Sequence, residues 1–225
     1  MNTFTPPAGS PRRWRFAAVL LLALAGGCET LQQAVLPSAH PNYYSLAYAP
    51  AAQARAATAG PTLIVSPPRA AAGFDSHHIM YVRQAGQLEY FAHNEWIDTP
   101  ARMLAPLIVA AVEASGAFRA VVQTPSSAIG ELRLDTEILR LQHEFTGTPS
   151  RVRLTLRAHL VDNATRRIIA SREFEAVADS ASEDPRGGVV AAHRAVNSAL
   201  AELAQFCAQA AGSGWSRDAA GSVPR

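Results

Sequence analysis

Four short constellations carry residue types capable of chemistry. His77-His78 offers two imidazoles, but adjacent residues on a helix or strand point apart, so hydrogen-bonded groups are expected rather than a chelate. His93-Asn94-Glu95 has the H-x-E of zinc deaminases, yet no P-C-x-x-C follows to complete a ligand set. His143-Glu144 opens like the zinc-peptidase HExxH, but the fourth residue on is Gly147, so the second imidazole is missing. Arg151, Arg153 and Arg157 fall on one parity and would share one face of a strand, where they could form a binding patch. Glu131, Asp135, Glu137, Glu173 and Glu175 occur on neighbouring segments at comparable density, so cross-strand ion pairing is the expected use of that face. There is no GxSxG, no Walker A run and no GxGxxG, and Cys207 lies in an apolar helical pattern that does not activate a thiol. No catalytic residue, metal or cofactor is expected.

The elements that would position these residues follow from periodicity. Tyr43 to Leu46 is β-prone, and the Ala/Gly/Pro stretch from Ala49 to Pro61 reads as a loop. Thr62 to Ser66 is a compact apolar strand stopped by Pro67-Pro68; Phe74 to Arg83 fits a short helix or an extended segment equally well. Leu88 to Ala92 alternates as a strand. Asp98 or Thr99 followed by Pro100 opens a helix whose apolar face is Leu104, Leu107, Ile108, Ala111 and Val112, with a kink expected at Pro106. Phe118 to Gln123 is a strand candidate. Glu131 to Phe145 alternates, then changes phase at Leu139, which predicts a bulge. Arg151 to Leu160 and Arg167 to Ala176 complete an antiparallel meander with one wet face. Gly187-Gly188 reads as a break, Val189 to Ala210 as a long amphipathic helix, and the Gly/Ser-rich residues 211–225 as a disordered tail. The fold class is α/β: a mixed sheet with an antiparallel meander, packed by two main helices.

The chain has 225 residues, 48% of them hydrophobic and 17% charged, which suits one domain with a real core. Its formal charge of +2 is unevenly placed. Arg12, Arg13 and Arg15 are three of the 20 basic residues and no acid precedes Glu29, so the rest carries 17 basic against 18 acidic residues, a charge of −1. Such a chain lacks the basic face that nucleic acid requires. Every positive charge is an arginine. Behind the leading arginines, Phe16 to Ala25 is a run of ten apolar residues, half the roughly 20 needed to span a bilayer, and this is the layout of a secretory signal. Leu24-Ala25-Gly26-Gly27-Cys28 resembles the lipobox of bacterial lipoproteins, with Ala25 where leucine is usual. The resemblance implies that residues 1–27 are a lipoprotein signal peptide and that Cys28 carries covalent lipid. The alternative is an ordinary secretory signal with an incidental cysteine. Several acyl chains anchor stably where one does not. Glu29, rather than aspartate, after the cysteine implies the outer membrane. Residues 28–41 then form a tether.

The lipobox, Tyr43-Tyr44-Ser45-Leu46 and the segment from Met80 to Phe118 together resemble the ABC-type transport auxiliary lipoproteins, the PqiC-like family. The most telling stretch is Met80-Tyr81-Val82-Arg83, then Leu88 through Trp96, then Thr99-Pro100 and the helix to Gly116. The resemblance spans residues 42–210 and implies a fold similar to the N-terminal domain of TolB. It also implies a non-enzymatic subunit of an ABC/MCE-type system moving phospholipid or another hydrophobic compound. Such a subunit would lie on the periplasmic face of the outer membrane and hold an MCE-domain protein and its ABC components there. Tyr90, His93 and Trp96 are the expected docking residues, since aromatic anchors concentrate interface energy. Trp96 packing inward over the helix after Thr99 is the alternative. A lipid-binding carrier acting without a stable complex is the alternative for the whole chain.

Overall fold

A computed structural model of the chain describes residues 40–49 and 60–214, and Thr3 alone before them. Apart from Thr3, residues 1–27, Cys28, most of the 28–41 tether, most of the Ala49–Pro61 loop and the tail after residue 214 lie outside the described residues. In chain order the elements are β1 (Asn42–Tyr44), β2 (Thr62–Val65), β3 (Arg69–Ala70), β4 (His78–Val82), β5 (Glu89–Trp96), α1 (Pro100–Ala114), β6 (Ala120–Gln123), β7 (Leu132–Glu144), β8 (Arg151–Asp162), β9 (Ile168–Asp179) and α2 (Pro185–Gly214).

Strand β7 organises the sheet because its alternation is the longest. Leu132, Leu134, Thr136 and Ile138 are buried, while Arg133, Asp135 and Glu137 on the other face are half-buried. The register with β8 then slips: Ile138 faces Leu156, but Arg140 rather than Leu139 faces Thr155. This is the bulge that the phase change predicts. Past it, Leu141 and His143 take over the buried parity. One edge of β7 runs antiparallel along β8, which runs antiparallel along β9, giving the expected meander. The other edge is shared in turn by three parallel strands: β2 at its start, β3 at its middle and β4 at its end. Strand β6 flanks β2, β5 flanks β4, and β1 flanks β5, so the nine-stranded mixed sheet stays open. The undecided segment from Phe74 to Arg83 contains β4.

Both helices cover the same face, and α2 packs on β8 and β9. Helix α1 starts at Pro100, as predicted, but Thr99 makes no side-chain capping bond; Asp98 instead pairs with Arg102 at 3.1 Å. Pro106 is exposed and the helix runs on through it. Helix α2 corrects the expected break at Gly187-Gly188. It opens earlier, at Pro185, with the Gly187 N–H donating to Asp184 Oδ1 at 2.7 Å as an N-cap. It also runs to Gly214, past residue 211 where the tail was expected to begin. Cys207 is fully buried in this helix, and burial pushes its thiol up to about 12, which makes it a small hydrophobe without reactivity.

Candidate functional site

The segment expected to dock a partner lies on β5, and its three residues do not stay together. Tyr90 is 53% exposed and stacks on His78, with ring centroids 4.2 Å apart and planes at 17°. His93 is exposed on the same strand. Trp96 is 3% exposed and belongs to the hydrophobic core, beside Ile79, Leu141, Val152 and Ala192 around a space of about 10 Å³. It is therefore withdrawn from the surface: Trp96 braces the strand from within, beside Gly188 and Ala192 of α2. The imidazoles of His77, just before β4, and His78, its first residue, diverge. His77 Nδ1 lies 3.3 Å from the Trp96 carbonyl, while His78 stacks on Tyr90. Asn94, between His93 and Glu95, accepts from Tyr44 at 3.2 Å and Asn42 at 3.3 Å, tying β5 to β1. Among the described residues no group of three or more His, Cys, Asp or Glu side chains is placed to hold a metal.

Two features escape the sequence reading. The first is a clip on α2. His193 Nε2 sits 2.9 Å from the Ser45 carbonyl, Asn197 Oδ1 accepts the Ala49 N–H at 2.9 Å, and Leu46 between them is buried. His193 and Asn197 are four residues apart and so lie on one helix face, where they grip an extended backbone. The i, i+4 spacing was visible; the segment it grips, 148 residues distant, was not. The second is a buried node at the end of β7. His143 Nε2 lies 2.8 Å from Ser150 Oγ, and the Ser150 N–H donates to Glu183 at 2.9 Å. A Cβ on Gly188 would stand 2.5 Å from His143 Nδ1, so only glycine lets the helix pass over the ring. Burial pulls the His143 pKa down, against the opposing pull of Glu183 and Asp184. The Ser–His contact resembles a catalytic pair only in distance, because Ser150 and His143 are both closed to solvent.

The arginine face resolves as cross-strand pairing. Arg153 binds Glu144 at 2.8 Å and also Glu175; Arg157 binds Glu137 at 3.4 Å and Glu173 at 2.6 Å. Arg151 reaches Glu144 at 3.3 Å. Two expected acids have other partners: Asp135 pairs with Arg133 on its own strand, and Glu131 with Arg119. Burial would raise the Glu144 carboxyl, but hydrogen bonds from Arg153 and Gln142 outweigh it and hold the group below its ordinary range. The face thus neutralises itself.

This fold, with a lipobox-like N-terminus and no assembled catalytic group among the described residues, matches one family over most of its length. The model of the ABC-type transport auxiliary lipoprotein component matches residues 44–206. The chain belongs to that family. Its members are lipoproteins that assist ABC-type transport. A Xanthomonas campestris protein, XCC0632, of the DUF330 family, is similar in structure with a TM-score of 0.68 and 22% identity, covering 77% of this chain and 99% of that one. A second, uncharacterized protein is similar at a TM-score of 0.59 and 14% identity over 74% of this chain and 97% of that one. Both likenesses concern the fold: a mixed α/β sheet under two helices. No functionally curated protein matches the chain.

Proposed function

We propose that this chain is a non-enzymatic, lipid-anchored subunit of an ABC/MCE-type system for phospholipid or another hydrophobic compound. It holds the periplasmic MCE assembly at the outer membrane. The observation that supports this reading best is how the domain receives its N-terminal chain. Asn42–Tyr44 pairs with Asn94–Trp96, Leu46 is buried, and His193 and Asn197 grip the backbone from Ser45 to Ala49. A load on a tether ending at residue 41 therefore enters paired backbone and the core, which is what an anchor needs. In this reading residues 1–27 are removed, Cys28 carries the lipid, residues 28–41 are the tether and the domain begins at residue 42. Tyr90 and His93 remain as contact residues, with Trp96 supporting them from inside. The family membership supplies the ABC system; the MCE partner and the outer membrane are the finer part of the proposal.

The test is recovery of partners. The protein, tagged after residue 225, is solubilised gently from membranes and pulled down beside Cys28→Ala. An MCE-domain protein and ABC components are expected with the parent chain and in reduced amount with the variant. Recovery of the chain alone, with lipid bound in stoichiometric amount, overturns the anchor in favour of a free carrier.

A further inference from the structure

Strand β9 closes the meander, and among the described residues it pairs with β8 alone, so its outer side meets no strand. The strands at the far margin, β1 and β6, have three and four residues. By contrast, β9 keeps an unbroken register with β8 from Ala170 to Asp179, a stretch without proline or glycine. Helix α2 packs on β8 and β9 and holds this edge in place. At one end Arg194 of α2 donates to the Asp179 carbonyl, which leaves Ala170–Ala178 as the open stretch. An edge of that length is a template for another strand.

The open face of this edge carries one sign of charge. In register, Glu137, Arg157 and Glu173 form a row across β7, β8 and β9, and Glu144, Arg151 and Asp179 form another. A third row runs Arg140, Thr155, Glu175. The face is neutral as a whole, yet each of these rows ends on an acid at β9. Glu173 and Glu175 bind Arg157 and Arg153 on their inner side but are 52% and 51% exposed. A carboxylate has about four acceptor sites, so both keep some for a cation on the outer side. On the covered face the charge is spent: Arg172 lies over Phe174 and binds Glu202 at 3.3 Å.

We infer that the outer edge of β9 receives a strand of a partner protein that carries basic side chains at alternate positions. Backbone pairing supplies affinity in such an addition, and the alternate side chains supply specificity. Charge selects the occupant. A second copy is opposed: a two-fold axis through residue 173, 174 or 175 would set Glu173 or Glu175 against a glutamate of the other copy, and like charges directly opposite destabilise. Basic residues two apart would instead meet Glu173 and Glu175 and continue the alternation of sign along the rows. The inference goes beyond the anchoring role, uses a surface other than Tyr90 and His93, and stands whether or not Cys28 carries lipid.

The test uses the full chain in a non-ionic detergent and three labelled peptides of equal length. One alternates arginine with threonine, one has the same composition with its arginines in a block, and one alternates glutamate with threonine. The alternating arginine peptide is expected to bind, and the block peptide to bind about tenfold more weakly. Glu173→Lys with Glu175→Lys should reverse the preference in favour of the glutamate peptide. Glu173→Gln with Glu175→Gln, which removes charge without reversing it, should weaken the arginine peptide without gaining the other. Amide hydrogen exchange on the parent chain reads the place directly: the arginine peptide should slow amides between Ala170 and Ala178. Equal binding of the alternating and block peptides, or slowing confined to other elements, overturns the proposal. Slowing of the same amides as the parent chain alone is concentrated overturns it in favour of a second copy.

Discussion

On the helix-covered face of β8, Val152, Leu154, Leu156, Ala158 and Leu160 are each at most 3% exposed; on the opposite face Arg151, Arg153, Arg157 and His159 keep part of their surface in water. Both faces are continuous across β7, β8 and β9, and both fix the register of the same strands. The covered face does so by volume. Interiors are packed like organic crystals, so a lost or added methyl group is felt at once. The open face does so by charge, with arginines shared between carboxylates, and an exposed pair there contributes little to stability. One face is intolerant and holds the fold. The other is tolerant and is free to meet partners. The strongest way to break this contrast is Leu156→Ala, a fully buried position on the central meander. It should cost about 2–5 kcal/mol, the usual range for a truncated core leucine. Urea unfolding checks it as a lowered midpoint at unchanged slope. A loss comparable to that of exposed-face variants would remove the distinction.

Gly188→Ala tests the same face by addition. The new methyl would stand 2.5 Å from a ring pinned by Ser150, so neither partner can give freely. The expected cost is about 1–3 kcal/mol, the usual range for overpacking. Gly212→Ala is the control, since nothing lies within 4 Å of its Cβ position; there helix propensity alone acts and adds up to about 1 kcal/mol. If both variants gain stability, the close passage of α2 over His143 is not a constraint.

How far the sequence discloses this molecule depends on the range of each interaction. The meander, the bulge at Leu139 and helix α1 are written in local periodicity and are legible there. The start of α2 is written in the same code as that of α1, an acid before a proline, but Gly187-Gly188 obscures it. Those glycines are there to let the helix pass close to other chain, not to end it. Strand β3, with two residues, carries too little pattern to detect. The arginine face is legible as paired, because acids and arginines alternate on adjacent strands, though not as to which acid meets which arginine. Tyr90 and Trp96 look equivalent in sequence. Only the folded strand, with Trp96 turned under α2 and Tyr90 outward, separates a buried support from an exposed ring. The clip of His193 and Asn197 on Ser45–Ala49 joins the ends of the domain, and no local signal encodes such a contact.

A smaller effect lies in acid. His143 is buried neutral, with its pKa lowered below the ordinary 6.5 chiefly by burial. The unfolded chain therefore binds a proton before the folded one does. Stability is at its full value above about pH 6.5 and falls as the pH drops from there toward the lowered folded value. The shifted carboxylates, Glu131, Glu144, Asp162 and Asp184, are lowered as well and so act in the same sense, losing stability as the pH falls, but only at lower pH, below their ordinary values. Urea midpoints at pH 7.5 and 5.5 should thus differ in the parent chain and differ less in His143→Gln. An unchanged difference in the variant would assign the acid sensitivity elsewhere.

The smallest effect is the most informative about the open face. Arg157 and Glu173 lie 2.6 Å apart but are 39% and 52% exposed, whereas Arg153 and Glu144 are 17% and 10% exposed at 2.8 Å. Distance alone would rank the first pair higher. Solvent reverses the order, because water and salt screen the exposed pair while the sheltered one keeps its field. A double-mutant cycle to alanine should give about 0.2–1 kcal/mol of coupling for Arg157 with Glu173, weakening in added salt. The cycle for Arg153 with Glu144 should give more, and lose less to salt. Equal couplings would mean that Arg157, which also reaches Glu137, passes its charge along the strands, so that the face acts as one lattice rather than as separate pairs. Substitution at one edge of that lattice would then be felt at the other, and the open face would share the intolerance of the core.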